Sequence, residues 1–133
     1  MKKIIFLLFL NGLLASSCAT QGPFYVGNPY GTRVSYGEGL HPGIDFDIRV
    51  GTPIIAPSDG MVIFVGERDH NEPWGGGMGV IISHGEYFKT FYAHLSKIFV
   101  DSGQSIKRGK LIGLSGANNM GYAHLHFGIC KIG

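Results

Sequence analysis

The chain has 133 residues, 44% of them hydrophobic, with two cysteines and a formal net charge of +2. That length bounds it to one small domain, and two cysteines exclude a scaffold stapled by several disulfides. Lys2 and Lys3 fall in a segment that reads as cleavable, so the remainder carries 11 − 2 = 9 basic against 9 acidic residues, a balance that excludes the basic patch nucleic acid requires.

That N-terminal segment begins with the two lysines and an unbroken apolar run, Ile4–Leu10, continued by Leu13, Leu14 and Ala15 past Asn11 and Gly12. It is shorter than the roughly 20 residues that span a bilayer, and residues 1–17 read as an export signal. Ala15-Ser16-Ser17-Cys18 resembles a bacterial lipobox. The resemblance implies cleavage before Cys18, a lipid on that cysteine, and an exported protein anchored to a membrane and facing the cell wall or periplasm. Plain secretion, with cleavage near Ala15 or Ala19, is the other reading. With Cys18 acylated, Cys130 has no intrachain partner, and its apolar neighbours suggest a buried, inert thiol.

The mature chain of 133 − 17 = 116 residues is long enough for a core without disulfides. Residues 18–40 carry no strand or helix period and read as a tether followed by an irregular lead-in. Residues 41–133 form the functional domain. Expected strands are Ile44–Arg49, Pro53–Ala56, Met61–Gly66, Gly79–His84, Tyr87–Leu95, Lys97–Val100, Leu111–Ser115 and His124–Cys130. They are short, rich in Val, Ile, Phe and Tyr, and separated by turn residues such as Ser58-Asp59-Gly60 and Asp101-Ser102-Gly103. The fold class is therefore all-β, a compact antiparallel sandwich or partly open barrel with little helix. Between the strands, 69–78 forms a longer Gly-rich loop. Its Trp74 suits either a stacking surface on a substrate groove or a cover for core.

Alternation along a strand gives the histidines meaning. His124 and His126 point to one face while Leu125 and Phe127 point to the other. His41 and Asp45, four apart, share a face if the chain between them is extended, and Pro42-Gly43 argues against a helix there. Asp47 shares that parity and is a rival ligand. By the same rule Tyr92 and His94 share a face. Two imidazoles and a carboxylate make a zinc ligand set that leaves one coordination position open. His70 and His84 lie in a loop and at a hairpin turn, outside this set.

His41-Pro42-Gly43-Ile44-Asp45-Phe46, Ala56-Pro57-Ser58-Asp59-Gly60, Tyr92-Ala93-His94-Leu95, the 105–113 stretch ending in Gly109-Lys110-Leu111-Ile112-Gly113, and His124-Leu125-His126-Phe127 occur in that order. Together they resemble the successive motifs of lysostaphin-type (LytM-like) zinc metallopeptidases. The resemblance implies a compact antiparallel β fold with Zn2+ held by His41, Asp45 and His126. His94 and His124 become the catalytic histidines, one as proton carrier and one as oxyanion donor. Tyr92 is either a third transition-state donor or a half-buried strand residue. The implied substrate is a peptide bond in bacterial peptidoglycan, cut by a monomer. Two positions depart from the pattern: Tyr122-Ala123 stands where Gly-Pro is usual, and Gly128 where Glu is common. The alternative is a non-catalytic relative that binds the wall or activates an amidase, but such relatives lack ligands and all five positions are filled here. A biotinyl- or lipoyl-carrier domain needs a modifiable lysine on a hairpin tip flanked by Met or acidic residues, a setting that Lys107 and Lys110 lack. A copper site is disfavoured by the carboxylate and by the lack of a Met or Cys cluster in this sequence.

Overall fold

The computed structural model describes residues 25–27, 29–31, 41–68 and 77–132. Cys18, His70 and Trp74 lie outside the described residues. Ten strands run through the rest: β1 (Tyr25–Val26), β2 (Ile44–Asp47), β3 (Pro53–Ile55), β4 (Gly60–Arg68), β5 (Gly77–Ser83), β6 (Phe88–Ala93), β7 (Leu95–Ile98), β8 (Ser105–Ile106), β9 (Leu111–Ala117) and β10 (Ala123–Lys131). No helix occurs among the described residues.

All eight expected strands are present. The sequence did not announce β1 and β8, because two residues are too few to display a period. Pairing is antiparallel throughout, in the order β1-β2-β10-β6-β5-β4-β8, with β3 and β7 flanking β9 and β9 joined to β10. The result is a curled half-barrel rather than two separate sheets. Ile54, Leu95 and Ile112 from the β3-β9-β7 part pack with Val62, Val80, Ile82, Tyr92, Leu125 and Phe127 from the longer part to fill one core.

β10 is the junction that matters for function. Its middle is flanked on both sides, with His126 opposite Asp45 of β2 and opposite Ala93 of β6. Its first two residues pair instead with β9, His124 lying opposite Gly116. Leu125 and Phe127 enter the core, so His124 and His126 occupy the other face, as alternation requires.

Two turns are braced by one acidic residue. The Asp59 carboxylate accepts the Arg108 backbone N–H at 2.8 Å and the Lys107 ammonium at 3.2 Å. The first of these bonds, then the second, holds its pKa below the ordinary carboxylate value. The Asp59 carbonyl accepts His84 Nδ1–H at 2.7 Å, and His84 Nε2 accepts the Thr90 hydroxyl at 2.8 Å. Thr90 in turn accepts the Tyr92 hydroxyl at 3.0 Å. His84 is thus a structural connector between β5, β6 and the 58–60 turn. Cys130 is exposed rather than buried; it lies on the face opposite Phe127 and Leu125, beyond the point where the β2 pairing ends.

Gly116 is a close-approach position. A Cβ there would sit 2.6 Å from the His94 carbonyl oxygen and 2.8 Å from the Ser96 nitrogen. Its absence lets β9 press against the bend that carries His94. Gly116→Ala should cost about 1–3 kcal/mol, the usual range for overpacking, read as a lowered urea midpoint. The His94 and Ser96 amide resonances should move with it.

Candidate metal centre

Cross-strand register alone assembles most of the site. Because His126 faces Asp45 across one ladder and Ala93 across the other, the residue after Ala93, His94, emerges beside it. The remaining member of the cluster, His41, enters three residues ahead of β2. All five side chains are buried: His41 at 2% exposure, Asp45 at 5%, His94 at 6%, His124 at 8% and His126 at 3%.

Three atoms converge. Asp45 Oδ1 lies 3.2 Å from His41 Nε2 and 2.9 Å from His126 Nδ1, and the two nitrogens are 3.1 Å apart. His124 Nε2 stands 3.8 Å from the same oxygen. The rings of His94 and His124 meet edge to face, with centroids 4.6 Å apart. Among the described residues, His41, Asp45 and His126 are the group that could hold a metal ion. Asp47, the rival by parity, is exposed and pairs with Tyr25 at the β1 side.

Backbone carbonyls fix two of the imidazoles. His41 Nδ1 is 3.2 Å from the Pro29 carbonyl oxygen. A carbonyl only accepts, so Nδ1 carries the proton and Nε2 presents a lone pair to the centre. His124 Nδ1 is likewise 3.1 Å from the Tyr122 carbonyl oxygen, which leaves its Nε2 bare towards Asp45. The turn behind it is held by Asn118, whose Oδ1 accepts the Met120 and Tyr122 N–H groups, each at 3.0 Å.

The electrostatics suit a cation. Burial raises the Asp45 pKa, but the hydrogen bond from His126 and the charges of His41, His124 and His126 outweigh it, and the net shift is downward. When His41 is neutral, its Nε2 lone pair faces that carboxylate oxygen at 3.2 Å, a repulsion that a cation between them would relieve. His126 Nε2 is buried with no hydrogen-bond partner, so its ring is oriented by Nδ1 and by packing. A tetrahedral zinc with bonds of about 2.0–2.1 Å sets its ligands about 3.3 Å apart, close to the triangle described. Two imidazole nitrogens and one carboxylate oxygen are also a donor set that suits zinc.

His94 is built differently from the sequence expectation. β6 ends at Ala93, and His94 has φ of 61°, a left-handed conformation uncommon outside glycine and frequent at functional sites. The alternation with Tyr92 breaks at that bend. Tyr92 lies opposite Phe127, on the core face, with its ring edge-on to Phe127 and its hydroxyl on Thr90. Burial raises its pKa, with the Thr90 bond only partly offsetting this. The structure therefore brings His41, Asp45, His94, His124 and His126 together and leaves Tyr92 on the opposite face of the sheet.

Two imidazole nitrogens and a carboxylate oxygen thus converge, with two further imidazoles beside them. The chain belongs to peptidase family M23, whose pattern matches residues 39–133. It is 42% identical over 88 residues to the peptidoglycan DD-endopeptidase ShyA of Vibrio cholerae, covering 65% of this chain and 19% of that one. It is 38% identical over 101 residues to the uncharacterized lipoprotein YgeR of Escherichia coli, covering 76% of this chain and 37% of that one. The chain thus spans well under half the length of these curated relatives. Its fold matches that of the antimicrobial peptidase lysostaphin from Staphylococcus simulans with a TM-score of 0.69 and 32% identity, over 82% of this chain and 43% of that one.

Burial first, then the neighbouring His124 and His126, lowers the His94 pKa from 6.5 to about 4 against a smaller opposing pull from Asp45. The folded imidazole is therefore neutral at pH 7. Between those two values the unfolded chain binds the additional proton, so the metal-free protein should lose stability as pH falls from about 6.5 to about 4. Thermal unfolding across that range should show the decline, and His94→Asn, which takes up no proton, should flatten it.

Proposed function

We propose that this chain is a zinc-dependent endopeptidase that hydrolyses peptide bonds in the cross-links or stem peptides of bacterial peptidoglycan. The observation that carries the reading is the convergence of His41 Nε2, Asp45 Oδ1 and His126 Nδ1 within 2.9–3.2 Å of one another. Family membership and the resemblance to a peptidoglycan DD-endopeptidase support it.

Zinc bound by those three atoms would supply Lewis acidity for a carbonyl and acidify a water molecule. His124 is the proton carrier in this scheme. Its Nδ1–H is committed to Tyr122, so the bare Nε2 accepts the proton of the attacking water and later delivers it to the leaving amine. His94, neutral and in edge contact with His124, donates an N–H to the oxyanion that develops on the scissile carbonyl. Burial of all five groups lowers the local dielectric and strengthens each of these interactions.

Cys18 is the proposed site of lipid attachment, after removal of residues 1–17, and the resemblance to a lipoprotein supports it. The enzyme then works in the cell envelope, held to a membrane and facing its substrate.

Digestion of purified muropeptides, followed by mass spectrometry, tests the activity. Cleavage should appear with the mature chain and vanish on chelation. Asp45→Ala should lose bound zinc and turnover together. His124→Ala should keep stoichiometric zinc while turnover falls about 10²–10⁴-fold, the range for a lost general acid–base. A chain that binds zinc but releases no fragments would instead be a wall-binding or amidase-activating module.

A further inference from the structure

The segment matched by the M23 family begins at residue 39, yet the strand carrying Asp45 is bordered by residues that precede it. Tyr25 and Val26 pair with Asp47 and Phe46. The Gly27 N–H then donates to the Asp45 carbonyl at 3.0 Å, and the Gly31 N–H to the His41 carbonyl at 3.0 Å. Between them, the Pro29 carbonyl accepts His41 Nδ1–H at 3.2 Å. Two of the three residues of the triangle are thereby tied to residues 25–27 and 29–31. Asp45 is held through its backbone, and His41 through both its backbone and its ring.

We infer that residues 25–27 and 29–31 are a clip that completes the metal centre and sets its affinity; the inference rests on reading the His41–Asp45–His126 triangle as a zinc site. A neutral imidazole has two tautomers, and only the one protonated at Nδ1 offers Nε2 as a ligand. The Pro29 carbonyl selects that tautomer and fixes the ring's direction. Acceptors of this kind behind a ligating histidine typically account for a 10–100-fold share of metal affinity. The bond is made by a main-chain oxygen, so no side chain in the segment advertises it. Linkage makes the effect reciprocal: whatever holds His41 ready for zinc is itself held more firmly once zinc binds.

The test uses the full chain and zinc alone. Gly31→Pro deletes the N–H bonded to His41 and cannot adopt the φ of +78° found there. Gly27→Pro deletes the N–H bonded to Asp45. In chelator competition each variant should bind zinc about 10–100-fold more weakly, with the far-ultraviolet circular dichroism of the unaltered chain. In the unaltered chain, zinc should slow hydrogen exchange at the Gly27 and Gly31 amides. Zinc affinity indifferent to both substitutions, or exchange at those amides indifferent to zinc, overturns the clip while leaving the metal centre standing. An unaltered chain that takes up no zinc overturns both.

Discussion

The site depends on one register: β10 threaded between β2 and β6 so that His126 stands opposite Asp45 on one side and Ala93 on the other. A slip of one residue along either ladder would turn His126 into the core and Leu125 or Phe127 towards His41 and Asp45. The core prevents that slip. Leu125 and Phe127 are both 2% exposed, packed among residues from every part of the half-barrel. The apolar residues of β10 thus hold the polar ones in place. Burying a carboxylate among four imidazoles is costly unless the charges are matched, and this packing imposes the proximity.

Much of this was legible in the sequence, for reasons that differ by residue. His124 and His126 could be placed on one face because strand alternation has a period of two and the segment has no breaker. His41 and Asp45 required only that the chain between them be extended. The eight longer strands announced themselves through β-branched and aromatic runs between turns. His94 was legible as a candidate but not as a geometry. Its side of the sheet follows from a left-handed bend, and the alternation argument fails at a bend. Tyr92 shows the same failure from the other end, since it obeys the alternation and so goes to the core. The carbonyls of Pro29 and Tyr122 were not legible at all. Every residue has a carbonyl, and only the path of the chain decides which one meets an imidazole.

Four of the histidines divide into three kinds by what holds their rings. His41 and His124 are set by carbonyls that keep Nε2 unprotonated. His126 is set by packing and by Asp45, with one nitrogen left orphaned. His84, chemically the same, has both nitrogens engaged in a bridge from Thr90 to Asp59. Identical side chains are thus left with a bare nitrogen facing the cluster or with both nitrogens tied into the scaffold, according to which ring atoms the surrounding structure has already claimed.

The docking of β1 also shortens the leash. If the anchor is at Cys18, six residues, 19–24, separate it from Tyr25, and their fully stretched contour is about 25 Å. That is less than the width of the globule itself, roughly 35 Å for a domain of this size. Were the chain free as far as His41, its maximum excursion would be about three times greater. A strand of two residues therefore sets the reach of the whole domain: with an anchor at Cys18, its near edge stays within about 25 Å of the lipid surface.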